Sequence, residues 1–104
     1  AARLGCGGNY VDYAASKGAL DTLGSGLSRE LAAQNIRVNA VRPGLIETEI
    51  HASGGNPDRT QRLASGVPLG RPGQAEEVAE AILWLASEQA SYVTGANVEV
   101  TGGR

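Results

Sequence analysis

Residues 10–44 read YVDYAASKGALDTLGSGLSRELAAQNIRVNAVRPG, and the hydrophobic period changes once within them. Over 10–34 the spacing is helical: Leu20, Leu23, Leu27 and Leu31 recur at intervals of three and four, making one apolar stripe. Ala14, Gly18 and Ser25 fall together on another face, where small side chains would admit a neighbouring helix. Asn35 suits the left-handed residue that stops a helix. Residues 36–41 then alternate apolar and polar, with β-branched Ile36, Val38 and Val41, and predict a strand ended by Pro43-Gly44.

Working outward, the first nine residues, AARLGCGGN, read as a glycine-rich loop. Residues 45–56 are mixed, with Gly54-Gly55 at a hinge. Asn56-Pro57-Asp58 has the form of an N-cap with proline at the first helical position, so a short helix is predicted to about Ser65. A Pro/Gly loop over 66–73 follows. A second strong helix is predicted over 75–87, with Val78, Ala79, Ile82, Leu85 and Ala86 as its stripe. A last strand over 97–101 alternates through Val98 and Val100. The order helix-strand-short helix-helix-strand predicts an α/β fold with a parallel sheet. Two strands are too few for an independent sheet, and a parallel sheet needs cover on both faces. The expectation is part of a doubly wound domain, incomplete as a standalone unit.

Composition narrows the classes. The chain has 104 residues, about one domain by length, and 41% are hydrophobic, enough for a packed core. The net charge is -2, which argues against nucleic acid and anionic membrane as partners. No apolar run reaches the ~18 residues of a membrane span, and no signal-peptide pattern opens the chain. Cys6 is the only cysteine, so no intrachain disulfide or cysteine-built zinc site is expected, and the default compartment is cytoplasmic. There is no methionine, which leads to the expectation that the chain has lost its beginning.

Of nine basic residues, Lys17 alone is lysine. It stands four residues after Tyr13 and about 40° round the helix from it, at the head of the leucine stripe. An unpaired ammonium is costly against an apolar face. One reading is an exposed first turn with Lys17 snorkelling. The other uses both groups: one helical turn brings the side chains together, a nearby cation favours a phenolate over a phenol, and such a tyrosine can pass a proton to or from a carbonyl/hydroxyl pair.

Tyr13-Ala14-Ala15-Ser16-Lys17 resembles the active-site segment of the short-chain dehydrogenases/reductases. Residues 37–44, RVNAVRPG, are similar to that family's sixth strand and the turn after it, and Pro43-Gly44 followed by Thr48 matches its P-G-x-x-x-T pattern. QAEEVA from Gln74 is similar to the start of its last long helix. Tyr92-Val93-Thr94-Gly95 and the closing Val100-Thr101-Gly102-Gly103 resemble its seventh strand. Four linked motifs in order, over nearly the whole chain, are far more specific than one pentapeptide.

The resemblance implies that residues 1–104 are the C-terminal part of a single Rossmann-type domain, with a substrate lid over about 49–69. The family's glycine-rich dinucleotide loop, its NAD-or-NADP-selecting residue and its Asn-Ala-Gly segment have no counterpart here, and its catalytic serine would fall at or just before Ala1. The implied activity is an NAD(P)-dependent oxidoreduction that moves a hydride between nicotinamide and a carbonyl/alcohol substrate. This chain is expected to be inactive alone. The alternative is a truncated, catalytically dead module for oligomerisation or interaction. By resemblance Tyr13 is the general acid/base, and Lys17 supports it and binds the nicotinamide ribose. Pro43, Gly44, Ile46 and Thr48 line the nicotinamide and pyrophosphate, with NAD or NADP as cofactor and the preference open. A Pro-Gly turn at the carboxyl end of a parallel strand lies where doubly wound sheets bind ligands, although alone it reads as a plain strand-ending turn. Implied partners are a small carbonyl/alcohol substrate and either further copies of the chain or a missing N-terminal segment.

Other candidates carry less. His51 has no ligand partner at metal spacing and reads as a lid residue; no metal site is expected. Cys6 reads as a bystander, Trp84 as packing, and Glu76, Glu77 and Glu80 as a helix start and solvated face.

Overall fold

The computed structural model describes residues 11–48 and 64–104. The glycine-rich start with Cys6, and residues 49–63 with His51, the Gly54-Gly55 pair and nearly all of the short helix, lie outside the described residues. The elements are α1 (Val11–Leu31), β1 (Ala40–Pro43), β2 (Ile46–Glu47), β3 (Gly73–Gln74), α2 (Ala75–Ala86) and β4 (Asn97–Val100), with single 3-10 turns at Ala32–Gln34 and Glu88–Ala90. The fold is α/β, as expected. β1 pairs with β4 and β2 with β3, and β2 and β3 run parallel, Ile46 opposite Gly73 and Glu47 opposite Gln74. Among the described residues, no helix is long and apolar enough to cross a membrane.

The chain divides into two compact units, Ala1–Ala40 with Tyr92–Asn97 and Val41–Ser91 with Val98–Arg104. In the first, α1 carries Asp12 in its opening turn and Arg29 in its last, both favourable to the helix dipole. Asn35 ends the helical run with φ 61° and ψ 34°, the left-handed stop expected of it. Only Ala14 and Ser28 of α1 are buried. Leu20 and Leu23 are 60% and 56% exposed, so the upper half of the leucine stripe faces outward. The small-residue face meets nothing at Gly18, where a Cβ would find no described atom within 4 Å.

The first strand begins later than its pattern predicts, at Ala40 rather than Ile36. Before it, side chains share the pairing with one backbone bond, from the Gly95 N–H to Val38 O at 2.7 Å. The Val38 N–H donates to Thr94 Oγ1 at 3.1 Å. The Asn39 amide takes two backbone groups, donating to Val93 O at 2.8 Å and accepting from the Ala96 N–H at 3.0 Å. Backbone pairing continues where the Ala40 N–H reaches Ala96 O at 2.9 Å.

Among the described residues of the second unit, Ala64, Val67, Leu85 and Ala90 are the buried apolar ones. On α2 Leu85 is buried and Val78 and Ala81 are half-buried; Ala79, Ile82 and Ala86, predicted on its stripe, are exposed. Gln74 caps α2 in a capping box: its side chain accepts the Glu77 N–H, and the Glu77 carboxylate accepts the Gln74 N–H at 3.0 Å. β4 follows its predicted alternation, with Val98 and Val100 half-buried and Asn97 and Glu99 exposed.

Candidate active site

Tyr13 and Lys17 occupy successive turns at the start of α1, and the helix brings them together. The Lys17 ammonium lies over the Tyr13 ring, 5.3 Å from its centroid, within the range where a cation is attracted to an aromatic face. Tyr13 is 54% exposed. The Ser16 hydroxyl, between the two in sequence, turns back to donate to Tyr13 O at 2.8 Å. Toward the other end of the helix, Ser28 is buried, donates to Ser25 O at 2.7 Å and packs under Gly95. Gly95 has φ +76°, and a Cβ there would lie 2.9 Å from Ser28 Oγ.

Pro43, Gly44, Ile46 and Thr48 belong to the second unit. Pro43 closes β1, Ile46 lies in β2, and Thr48 follows it, exposed. The Gly44 N–H donates to Val100 O at 2.9 Å. A Cβ on Gly44 would sit 2.8 Å from Thr101 Cα, so glycine is required here by a chain segment 57 residues away. That is a packing reason, distinct from the close ligand approach that the sequence suggested. Ile46 lines a cavity of about 40 Å³ with Leu45, Leu69, Arg71, Gly73, Glu77, Val100, Thr101 and Gly102. That volume suits a water molecule and is far too small for a dinucleotide.

Polar groups gather beside this cavity. Arg71 grips Glu77 through two hydrogen bonds of 2.8 and 3.0 Å, and Gln74 Nε2 donates to Glu47 Oε2 at 3.1 Å. The Arg71 bond, with help from the Gln74 N–H, holds the Glu77 carboxyl down at about 2. Glu77 is thus a helix-start residue, as predicted, with a partner the sequence did not name. Among the described residues no cluster could hold a metal ion. Sequence reasoning missed Asn39, Gln74 and Thr101. All three stood inside quoted motifs, but nothing local marks what their atoms touch.

Comparison with known proteins adds the family. A family model described as enoyl-(acyl carrier protein) reductase matches residues 1–104. The uncharacterized oxidoreductase YgfF of Escherichia coli (strain K12) is 64% identical over 104 residues, covering all of this chain and 42% of its own. A crystal structure of YwfH, an NADPH dependent reductase involved in bacilysin biosynthesis, aligns with a TM-score of 0.86 at 35% identity, over 99% of this chain and 43% of that one. A 4-hydroxyisoleucine dehydrogenase mutant complexed with NADH and succinate aligns with a TM-score of 0.78 at 36% identity, over 88% of this chain and 38% of that one. The chain therefore spans about two fifths of the length of these relatives. Four motifs in register, a parallel α/β fold with the tyrosine and lysine one turn apart, and a family match along the whole sequence together place this chain in the short-chain dehydrogenase/reductase family.

Proposed function

We propose that the protein is an NAD(P)-dependent oxidoreductase that transfers a hydride between nicotinamide and a small carbonyl/alcohol substrate. The observation that carries this is the Lys17 ammonium held 5.3 Å from the centre of the exposed Tyr13 ring. Carbonyl reduction needs a hydride at carbon and a proton at oxygen. The dinucleotide supplies the hydride when bound. Tyr13 delivers the proton from its hydroxyl, or accepts it in the reverse direction, and the adjacent cation offsets the negative charge left on the phenolic oxygen. Lys17 also donates to the nicotinamide ribose, and Pro43, Gly44, Ile46 and Thr48 border the nicotinamide and pyrophosphate. NADPH and NADH both occur among the structural neighbours, and either cofactor fits this reading. The chain alone is inactive in this account.

The test uses the full-length protein with each dinucleotide and a panel of aldehydes, ketones and secondary alcohols. Tyr13→Phe is expected to keep dinucleotide binding and lose about 10²–10⁴-fold in kcat. Turnover within a few-fold of the unsubstituted protein would overturn the assignment.

A further inference from the structure

Thr48 leaves β2 one residue after Glu47, and β2 is only two residues long. Two contacts hold so short a strand from the side of α2. The Gly73 N–H donates to Leu45 O at 2.8 Å, and Gln74 Nε2 donates to Glu47 Oε2 at 3.1 Å. Gln74 is itself fixed at both ends. Its side chain accepts the Glu77 N–H in the capping box while its own N–H donates to Glu77 Oε1, and Arg71 pins that same carboxylate with two bonds. Along the same β3 edge, Ile46 fills the space above Gly73, where a Cβ would lie 2.9 Å from Ile46 Cδ1. The end of β2 is therefore held along its β3 edge by an apolar contact at Ile46 and a polar one at Glu47.

We propose that Gln74 is a positioning residue: it joins the rigid start of α2 to Glu47 and so sets the place of Thr48 and the affinity for the nicotinamide dinucleotide. The role rests on the proposed function for its ligand, and on the geometry of the second unit alone for its mechanics. Gln74 is suited to the task because its amide accepts for the helix and donates to the strand at once. A serine or aspartate cap would satisfy the helix and leave Glu47 without a donor.

Gln74→Glu keeps an acceptor for the cap and sets a second carboxylate against Glu47. Glu47→Ala removes the strand-side acceptor and leaves the cap untouched. Glu47→Gln combined with Gln74→Glu reverses donor and acceptor and restores the bond. In the full-length protein, the two single variants should speed amide exchange over residues 46–48 and raise the Kd for NADPH or NADH about 2- to 10-fold, the loss of one ordinary hydrogen bond. kcat at saturating dinucleotide should change less than about 2-fold, and the double variant should return both readouts toward the starting values. Unchanged exchange over 46–48 in both single variants, or unchanged Kd alongside faster exchange, would overturn the proposal. Failure of the unsubstituted protein to bind either dinucleotide would instead overturn the proposed function, and the exchange data would then decide the mechanics of Gln74 alone.

Discussion

Gly44 and Thr101 approach so closely that a Cβ on Gly44 would stand 2.8 Å from Thr101 Cα and 3.0 Å from its Cβ. The Gly44 N–H completes the contact by donating to Val100 O at 2.9 Å. The glycine after β1 thus seats the turn that follows β4. Gly44→Ala forces backbone apart at this point, since no flexible side chain is there to yield. Overpacking of this kind typically costs about 1–3 kcal/mol. Urea denaturation of the full-length protein should show a loss in that range, and an unchanged midpoint would contradict the contact.

Lys17→Met removes the cation from the Tyr13 ring and keeps most of the aliphatic stem. In the full-length protein it is expected to lower kcat/KM at least about 10²-fold, with the Kd for dinucleotide also rising. Lys17→Arg should recover part of the loss, because the charge returns in a different shape. Equal kcat/KM in Lys17→Met and the unsubstituted protein would remove Lys17 from the site.

Asn39→Ala leaves the Ala96 N–H without its 3.0 Å acceptor and takes one of two donors from Val93 O, the Arg37 bond at 3.2 Å remaining. The expected destabilisation is about 1–3 kcal/mol, with faster amide exchange at Ala96. Asn39→Asp can still accept from Ala96 but has no hydrogen to offer Val93 O. Exchange at Ala96 should therefore stay slower in Asn39→Asp than in Asn39→Ala. The opposite order would show that the donor half of the clasp, not the acceptor half, holds the loop.

Glu77 gives a pH prediction. Its carboxyl is lowered from 4.5 to about 2 by the Arg71 hydrogen bond first and the Gln74 N–H second. A lowered folded-state value means that its contribution is fully present above the unfolded value of 4.5. It fades as pH falls from there through about 2. The pair is exposed, so high salt should weaken it. Carboxyl NMR should find Glu77 titrating well below 4.5, and Arg71→Ala should bring it back toward that value. A Glu77 midpoint above 4 in the unsubstituted protein would refute the pairing.

Leu20 and Leu23 are more than half exposed on α1, and covering a leucine yields about 1.5–3 kcal/mol. The 104-residue chain produced alone should therefore self-associate at micromolar concentration. Leu20→Gln with Leu23→Gln should reduce that association in sedimentation experiments. A monodisperse, cooperatively folding monomer would show that the leucine face needs no cover.

The sequence by itself determined what the backbone period controls. The 3.6-residue recurrence of leucines marked α1, and four residues of spacing put Lys17 over Tyr13, because both partners ride on the same helix. Asn35 announced its own left-handed turn, and Val98 and Val100 announced the face of β4. Each of these depends on residues a few positions apart. Tertiary structure decided the start of β1, where the Asn39 amide takes up ladder positions with partners 54 and 57 residues away. It decided the two-residue pairing of β2 with β3, and the hold of Gln74 on Glu47 across 27 residues. It also decided why Gly44 must be glycine, since the atom that forbids a Cβ belongs to Thr101. A hydrogen bond or a steric limit between distant segments exists only once the chain has folded, so neither leaves a period or a spacing in the sequence to be read.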